Sequence, residues 1–367
     1  MNSNEGIPTM KIIRYGILGT AGIARKNWRA IHDTGNAVVA AVASRDVERS
    51  RQFIAECQND APFDKAPAAF GSYEALLQSP DVDAVYIPLP TGLRKEWVLR
   101  AAAAGKHVVC EKPCGLNTTD VREMLDACRK SRVQFMDGVM FMHNPRLDRI
   151  RQALDDGKSI GNINRITSMF SFLGSGNFFT DNIRLHSELE PAGCLGDLGW
   201  YSIRFSLWAM NWRMPREVSG RILSRHAAGN SPGLVPTDFS GELIFDDRTS
   251  AAFSCSFLVE KQQWLHVSGD KGSLSFPDFV HPDSIHEPSF QLNGSEVRVK
   301  CCDCKGPHTD SRRWAQDVNL FRNFAVQIQS GGLNEDWPMQ ALKTQQVVDA
   351  CLASAQERCE LVPVSAA

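Results

Sequence analysis

The first 140 residues of the chain alternate short apolar runs with longer amphipathic stretches. Short apolar runs predict buried strands, and apolar residues spaced three and four apart predict helices. Strands are predicted at 12–18, 38–43, 84–88, 107–110 and 134–136, and helices at 23–31, 48–57, 96–104 and from Thr118 or Thr119 to 128. Strands and helices that alternate in this way are typical of a doubly wound parallel sheet.

After residue 140 the pattern changes to strands that alternate apolar and polar residues. Such strands are predicted at 163–172, 218–223, 238–245, 249–257, 263–267 and 272–276, and helices at 145–154, 197–210, 314–329 and 339–358. Turn pairs such as Asp246-Asp247 and Gly269-Asp270 separate several of the strands, which favours antiparallel pairing. The sequence therefore predicts an α/β Rossmann domain over residues 1–140 and an α+β domain over residues 141–367. The second domain is expected to have an open, mainly antiparallel sheet with helices on one face.

Composition and charge exclude several classes of partner. The chain has 367 residues, which fits two domains of ordinary size, and its 43% hydrophobic content is typical of globular proteins. Its 40 basic and 42 acidic residues give a net charge of -2, without a basic run of the kind that binds nucleic acid or anionic lipid. No apolar stretch reaches the roughly 20 residues that a membrane-spanning helix needs. We therefore expect a small-molecule substrate as partner, and neither nucleic acid nor a membrane.

The N-terminal residues and the cysteines indicate a cytoplasmic location. Residues 1–11 are polar and include Glu5, so they lack the apolar core of a secretory signal. The 11 cysteines are odd in number and scattered, which is typical of reduced thiols in a protein interior. One cluster consists of Cys301, Cys302 and Cys304, with His308 nearby. This cluster lacks a second pair of ligands at a recognisable spacing, so we predict no metal site.

The turn after the first predicted strand is a candidate phosphate-binding loop. It reads Gly19-Thr20-Ala21-Gly22-Ile23-Ala24 and leads directly into a helix. Free N–H groups and the helix dipole at such a terminus bind the pyrophosphate of a dinucleotide. The strict G-x-G-x-x-G pattern is absent, because Ala21 replaces the second glycine. A glycine-rich turn alone can be merely structural, but its position after the first strand of a parallel sheet favours dinucleotide binding.

The end of the second predicted strand distinguishes between two cofactors. An acidic residue there binds the ribose hydroxyl of NAD, whereas an arginine accommodates the additional phosphate of NADP. This chain has Ser44 and Arg45, which offer a hydroxyl donor and a guanidinium to that phosphate. The alternative is that Ser44 or Asp46 caps the next helix while Arg45 is a solvated surface charge. We predict NADP in preference to NAD.

The segment Glu111-Lys112-Pro113 follows the fifth predicted strand, at the sheet edge where this kind of fold binds its ligands. Hydride transfer at an alcohol carbon requires a group that exchanges the hydroxyl proton. A lysine whose pKa is lowered by burial or by cationic neighbours can exchange it, or can orient the group that does. Pro113 fixes the backbone after this lysine, and the bond before a proline can be cis. The alternative is a solvated surface pair of Glu111 and Lys112.

Taken together, these segments resemble the glucose-fructose oxidoreductase, inositol dehydrogenase and rhizopine catabolism (Gfo/Idh/MocA) family. The matching stretches are 16–24, 43–45, 86–91, 111–113 and 193–201. The resemblance is greatest to the branch with trans-1,2-dihydrobenzene-1,2-diol and xylose dehydrogenases. It is particularly marked to uncharacterised plant-type members that carry Met136-Asp137-Gly138 followed by His143-Asn144-Pro145-Arg146.

The resemblance implies the roles of three residues. Lys112 lies beside the nicotinamide and the substrate, Asp197 binds substrate hydroxyls, and Tyr201 is the acid/base. The positions of Asp197 and Tyr201, four apart at the start of a predicted helix, independently put them on one face. We expect Lys112 to lower the pKa of the Tyr201 phenol. Without the family pattern, a capping aspartate and a half-buried tyrosine would be the ordinary interpretation of this pair.

The matching stretches also suggest further contacts. Cofactor contacts are assigned to Pro88, Leu89, Thr91 and Glu111, in addition to the loop from Gly19 to Ala24, Ser44, Arg45 and Lys112. Substrate contacts are assigned to His143, Arg146, Arg184, His186 and Trp200, although the charged ones are equally interpretable as surface ion-pair residues. The chain departs from many relatives at Arg94, where they have histidine. The tyrosine at position 201, where many relatives also have histidine, is shared with the diol and xylose branch.

The predicted function is NADP-dependent hydride transfer to or from a hydroxyl or carbonyl carbon of a sugar, polyol or cyclic diol. One alternative is a nonredox sugar conversion through transient oxidation with a tightly held cofactor. Another is an NADP-binding sensor without catalysis. We also predict a homodimer through the C-terminal sheet, because an uncovered apolar sheet face is an association surface.

Overall fold

A computed structural model of the chain describes residues 11–246, 248–282, 288–299, 315–357 and 360–364. The cysteine cluster at 301–304, His308 and the turn residue Asp247 lie outside the described residues. Within these ranges, the helices are all too short or too polar to cross a membrane. Seven cysteines are described, and each of them is a buried free thiol.

The N-terminal half forms a six-stranded parallel sheet in the order β3-β2-β1-β4-β5-β6. Its strands are β1 (Ile13–Leu18), β2 (Ala37–Ala43), β3 (Ala68–Phe70), β4 (Ala84–Ile87), β5 (His107–Cys110) and β6 (Phe135–Asp137). The helices between them are α1 (Gly22–His32), α2 (Val47–Asp60), α3 (Tyr73–Leu77), α4 (Thr91–Ala103) and α5 (Thr118–Lys130). Strands β1, β4 and β5 are buried at nearly every position because helices cover both faces of a parallel sheet. The short β3 and α3 were missed, since three to five residues show no periodicity.

The C-terminal half forms a nine-stranded sheet in the order β14-β13-β12-β11-β7-β10-β9-β8-β15. Its strands are β7 (Ile163–Ser171), β8 (Glu217–His226), β9 (Val235–Ile244), β10 (Ser250–Ser256), β11 (Gln262–Gly269), β12 (Ser273–Phe276), β13 (Ser289–Leu292), β14 (Ser295–Arg298) and β15 (Val362–Pro363). Strands β7 and β10 pair in parallel, and the other neighbours with a described register are antiparallel. The predicted fold class, a Rossmann-type sheet followed by a mainly antiparallel one, is thus confirmed.

The described part of the C-terminal half also contains five α-helices. They are α6 (Arg146–Asp155), α7 (Phe178–Asp181), α8 (Trp200–Ala209), α9 (Ala315–Ser330) and α10 (Asp336–Gln356). Turns of 3-10 helix cover Met140–His143 and Ile183–Leu185, and a π-helix covers Leu195–Gly199. Helix α8 is buried on nearly every side, because it packs against β7 and β10 of the nine-stranded sheet and against α10.

The π-helix replaces the start of the α-helix that was predicted from Asp197. Two glycines let this segment pack closely. A Cβ at Gly199 would lie 2.8 Å from Leu195 Cδ1 and 3.2 Å from Cys255 Sγ, and one at Gly196 would lie 2.9 Å from the Cβ of Ala192. A π-turn of this kind is often found at functional sites. Here it carries Asp197 directly before α8.

Candidate active site

A cavity of about 580 Å³ separates the carboxyl edge of the parallel sheet from the C-terminal domain. Its walls include the start of α1, the segment after β5, the π-helix and the start of α9. Ligands of open α/β sheets bind at this edge. The cavity therefore coincides with the predicted cofactor and substrate cleft.

The loop between β1 and α1 fits a dinucleotide. Gly19 has φ +106°, a left-handed conformation that favours glycine, and a Cβ there would lie 3.1 Å from Leu89 Cδ2. Helix α1 begins after Ala21 without a side-chain cap, and a Cβ at Gly22 would meet nothing within 4 Å. The first N–H groups of the helix therefore face open space, which is what a pyrophosphate requires. Ala24 is fully buried and packs in the core rather than facing the cleft.

A smaller cavity of about 210 Å³ lies beyond this loop, at the end of β2. Arg45, Arg49 and Tyr73 line it, together with Thr20, Pro88 and Leu89. Arg49 was not predicted, although its position four residues after Arg45 could have indicated it. Two arginines beside a helix N-terminus suit the additional phosphate of NADP.

Ser44 does not match its predicted role as a phosphate donor. It lines the cavity but is only 4% exposed, and its hydroxyl donates to the Asp46 carbonyl. Because a hydroxyl has one proton, Ser44 has none left for a phosphate. Asp46 caps α2 through the N–H of Glu48 at 2.9 Å. Asp46 is therefore the helix cap that the sequence analysis gave as an alternative, whereas Arg45 lines the cavity.

Glu111 is tied into a buried network beneath the cleft. The Tyr86 hydroxyl donates to Glu111 Oε1 at 2.7 Å, and Asn27 Nδ2 donates to the Tyr86 oxygen at 2.6 Å. Burial, and then the charge of Glu111, raise the pKa of Tyr86 well above its usual value. This network joins α1 to the ends of β4 and β5, so it fixes the backbone on which Lys112 stands.

Lys112, Asp197 and Arg184 form a connected charge cluster in the cleft. Lys112 Nζ lies 2.7 Å from Asp197 Oδ1 and 2.8 Å from the Asp197 carbonyl oxygen, and Arg184 Nε lies 2.7 Å from Asp197 Oδ2. Burial alone would raise the pKa of Asp197, but Arg184 and Lys112 outweigh it and hold that pKa far below its usual range. The bond between Lys112 and Pro113 is cis. The cluster contains two cations for one carboxylate, so it carries one net positive charge.

Tyr201 lies beside this cluster and is 6% exposed. The ammonium of Lys112 is 4.9 Å from the centroid of the phenol ring, and the hydroxyl contacts Met140 Sδ at 3.7 Å. Burial, and then the charges of Glu111 and Asp197, raise the pKa of Tyr201 well above its usual value. We expected Lys112 to lower this pKa, and that expectation was wrong, because burial and the nearby carboxylates outweigh the cations in the cleft. Tyr201 therefore keeps its proton near neutral pH.

A second network joins the two domains at the start of α4. The Glu190 carboxylate accepts from the Thr91 N–H at 3.0 Å and from the Thr91 hydroxyl at 2.7 Å, and so caps a helix without a cap of its own. Arg94 donates to the Thr91 hydroxyl at 2.9 Å, to the Leu89 carbonyl at 2.7 Å and to the Pro113 carbonyl. Arg94, the departure from many relatives, is thus a buried link that fixes the segment after Lys112. Glu190 was missed because its partner is distant in sequence.

Two of the five proposed substrate contacts are buried away from the cleft. Arg146 is 1% exposed, and its guanidinium binds the Asp278 carboxylate at 2.8 Å and the Phe279 carbonyl at 2.9 Å. Trp200 is fully buried. We withdraw both as substrate contacts, because neither side chain can reach a ligand in the cleft.

The two histidines are also outside the cleft. His143 lines a separate cavity of about 420 Å³, where its ring lies 6.2 Å from that of Trp337. The Nδ1 atom of His186 accepts from the Glu188 N–H at 3.3 Å, and His186 does not line the cavity. Of the five substrate contacts, the structure brings only Arg184 to Lys112, Asp197 and Tyr201.

Two family models match the chain. The first, an oxidoreductase family with an NAD-binding Rossmann fold, matches residues 13–139, and the second, the GFO/IDH/MocA C-terminal domain, matches residues 147–275. The chain belongs to the GFO/IDH/MocA oxidoreductase family. The resemblance inferred from its motifs is therefore confirmed, and this family member is an oxidoreductase, as predicted.

Several characterised proteins are similar to this GFO/IDH/MocA chain. D-xylose 1-dehydrogenase (NADP(+)) 2 of Haloferax volcanii is 32% identical over 286 residues, which cover 77% of this chain and 82% of that protein. Trans-1,2-dihydrobenzene-1,2-diol dehydrogenase of Homo sapiens is 29% identical over 268 residues, covering 71% and 73%. A 3-ketoreductase from Actinomadura kijaniata, crystallised with NADP and TDP-benzene, superposes with a TM-score of 0.77 at 25% identity, covering 93% and 97%. The predicted likeness to the diol and xylose branch is confirmed.

Four further residues line the cleft of this family member without having been predicted. Lys26 of α1 pairs with Asp317 of α9 at 2.8 Å, while Lys261 and His281 come from loops beside β11 and β12. No short spacing connects them with Lys112 in the sequence. Only the packing of the C-terminal loops over the parallel sheet brings them together.

Proposed function

We propose that this protein reversibly transfers a hydride between NADP(H) and a carbon that bears a hydroxyl or carbonyl group in a sugar, polyol or cyclic diol. The observation that carries the proposal is the contact of Lys112 with both Asp197 and Tyr201 in a cleft that also contains the dinucleotide loop. The xylose and diol dehydrogenases that resemble the chain act on substrates of this kind, as their names state. The ketoreductase was crystallised with NADP.

The residues at the cleft divide the reaction between them. Bound NADPH supplies the hydride in the reductive direction. Tyr201, whose pKa is raised by burial, donates its proton to the oxygen that develops negative charge. Lys112 stabilises that charge electrostatically, and Asp197 holds Lys112 and Arg184 and has lone pairs left for a second substrate hydroxyl.

Replacing Tyr201 by phenylalanine tests this assignment. We expect Tyr201→Phe to lower kcat for carbonyl reduction by about 10²- to 10⁴-fold, as for the loss of a general acid. The Kd for NADPH, measured by its fluorescence, should stay within about twofold, because the phenol is remote from the phosphate loop. Equal losses of turnover and cofactor binding would contradict the role.

The cofactor assignment has its own test. Arg45 and Arg49 line the cavity at the end of β2, which supports NADP over NAD. We expect Arg45→Ala to weaken NADP binding about tenfold and NAD binding by less than about twofold, as expected for one charge-assisted phosphate contact. Equal weakening of both cofactors would argue against a phosphate contact.

Two other functions remain distinguishable by experiment. A nonredox sugar conversion predicts that cofactor stays bound through gel filtration and that product forms without a net change in nicotinamide absorbance. A non-catalytic sensor predicts NADP binding without turnover of any carbonyl substrate. The cluster of Lys112, Asp197 and Tyr201 favours catalysis over the sensor.

We also propose a homodimer, a boundary between domains at residues 140 and 141, and a cytoplasmic location. The partly exposed Met169 and Trp264 lie side by side on the sheet face opposite Phe170, and Leu223 is 55% exposed, which supports association through that face. The parallel sheet ends at Asp137 and the second sheet begins at Ile163. The free thiols of the described cysteines are consistent with a reducing compartment. Sedimentation that shows only monomer at micromolar concentration would contradict the dimer.

A further inference from the structure

The acids that line the cleft are already engaged. Asp197 binds Lys112 and Arg184, Glu190 caps α4, and Asp317 pairs with Lys26 at 2.8 Å. Glu111, the fourth, accepts the Tyr86 hydroxyl beneath the cleft. Among the described residues, no lining carboxylate therefore forms an ion pair with a further cation, although Glu111 and Glu190 keep their negative charge in the cleft.

Arg184 has unused donors at this place. Only its Nε is bound, to Asp197 Oδ2 at 2.7 Å, and its side chain is 42% exposed. The two terminal nitrogens have no partner among the residues that the structure describes. Since a guanidinium is a planar fork, fixing Nε also fixes the directions of its remaining donors. Arg184 thus presents an oriented pair of N–H donors next to the atoms that carry the chemistry.

Lys261 is a second cation that lines the cleft and has no ion-pair partner among the described residues. It lies directly before β11, is exposed and lines the cleft, and no hydrogen bond or ion pair joins it to the described residues. Glu260, the preceding residue, is exposed and does not line the cavity. The described lining of the cavity has five cationic side chains, Lys26, Arg94, Lys112, Arg184 and Lys261, and four carboxylates, so it carries one net positive charge.

The pKa of His281 reflects the electrostatic potential that these charges create. Gln263 of β11 holds its backbone through two 2.8 Å hydrogen bonds, so the residue is fixed beside Lys261. Desolvation by the surrounding protein, and then the ammonium groups of Lys26, Lys261 and Lys112, lower the pKa of His281 to about 3. Three ammonium groups therefore act on one place in the cleft, and the charge of Asp197 opposes them only in part.

We propose that the substrate carries an acidic group, a carboxylate or a phosphate, which Arg184 and Lys261 bind while the reacting carbon lies beside Lys112 and Tyr201. The inference rests on the proposed function and restricts its substrate class to sugar acids or sugar phosphates. Both groups present anionic oxygens to which a guanidinium donates two parallel hydrogen bonds. Neutral sugars of the same size leave Lys261 and the free Arg184 donors unused.

The test measures binding to the NADP-loaded full-length enzyme by calorimetry at low salt, with D-glucuronate, D-glucose 6-phosphate and D-glucose as probes. We expect at least one acidic probe to bind about 10- to 100-fold more tightly than glucose, as for one or two hydrogen bonds to a charged group. The difference should shrink as salt is added. The two acidic probes distinguish a carboxylate from a phosphate as the recognised group.

Lys261→Met is the decisive variant, with Lys65→Met as its control. Lys65 is an exposed lysine of the first domain that does not line the cleft, so both variants lose the same charge. We expect Lys261→Met to abolish the preference for the acidic probe, to leave glucose binding unchanged, and Lys65→Met to change neither. Equal binding of the three probes, no binding of either acidic probe, or equal effects of both variants would overturn the inference. If the acidic probe binds but is not turned over, the anion site stands and the proposed reaction fails.

Discussion

Two arginine–carboxylate pairs lie on either side of the start of α8, and they differ in access and in charge. Arg184 binds Asp197 in the cleft, where Lys112 adds a second cation. Arg204 binds Asp137 in the interior, where the two side chains are 1% and 4% exposed. The comparison shows that an ion pair alone does not identify a reactive site. Access for a ligand and an excess of one charge distinguish the cleft pair from the interior one.

The interior pair has a structural explanation. Arg204 follows Tyr201 by three residues on α8, and Asp137 ends β6. Arg204 Nε also donates to the Thr344 hydroxyl of α10 at 2.7 Å. The pair therefore ties α8 to the parallel sheet and to α10, and it holds the helix that carries Tyr201.

The largest expected effect is the loss of the interior pair. We expect Arg204→Met to lower the free energy of unfolding by about 3–5 kcal/mol, because it leaves Asp137 buried and unpaired. Arg184→Met should lower it by less than about 1 kcal/mol, since its pair is partly exposed and Lys112 still neutralises Asp197. Urea denaturation measures both. Equal losses of unfolding free energy in the two variants would show that the two ion pairs contribute equally to stability.

The next effect concerns the cleft pair and catalysis. Asp197→Asn removes the carboxylate that positions Lys112 and Arg184, so we expect kcat/KM to fall by about 10²- to 10³-fold, comparable to the loss of one preorganised electrostatic group. The urea midpoint and the Kd for NADP should change little. If Asp197→Asn also lowered the free energy of unfolding strongly, Asp197 would have a structural role like that of the interior pair of Arg204 and Asp137.

The pH dependence of alcohol oxidation is a further test of the role of the cleft pair. Alcohol oxidation requires unprotonated Tyr201, and the raised pKa of this phenol means that kcat should keep rising through about pH 10. The negative charge of Asp197 contributes to that raised pKa. Asp197→Asn should therefore move the profile to lower pH, by up to about one unit. An unchanged profile would exclude Tyr201 as the titrating group.

A smaller effect concerns His143, whose protonation would add a third charge near the interior pair of Arg204 and Asp137. Desolvation, and then the charge of Arg204, lower the pKa of His143 to about 4. The unfolded chain takes up this proton near pH 6.5 and the folded chain only near pH 4, so stability is lost as pH falls through that window. We expect a loss of about 1 kcal/mol by about pH 5.5, which His143→Asn should remove. Thermal unfolding between pH 7 and pH 4.5 measures it, and an identical pH dependence in both proteins would contradict the assignment.

Local patterns predicted the parts of the molecule in which neighbours in sequence are neighbours in space. The apolar strands β1, β4 and β5 predicted the parallel sheet, and the loop from Gly19 to Ala24 lies where its motif placed it. Lys112, Asp197 and Tyr201 were found through their motifs and meet in the cleft. The strands β13 and β14 and the helix α3 were missed, because so few residues show no period.

Charge environments were decided only by the tertiary structure. Arg146 and Trp200 were expected to contact the substrate and are buried, whereas Arg184 lies at Asp197. The pKa of Tyr201 is raised rather than lowered, because burial and nearby carboxylates outweigh the lysine over its ring. The type of a residue and its spacing define its chemistry and its local conformation. Its exposure and its charged partners depend on segments far away in sequence, which only packing brings into contact.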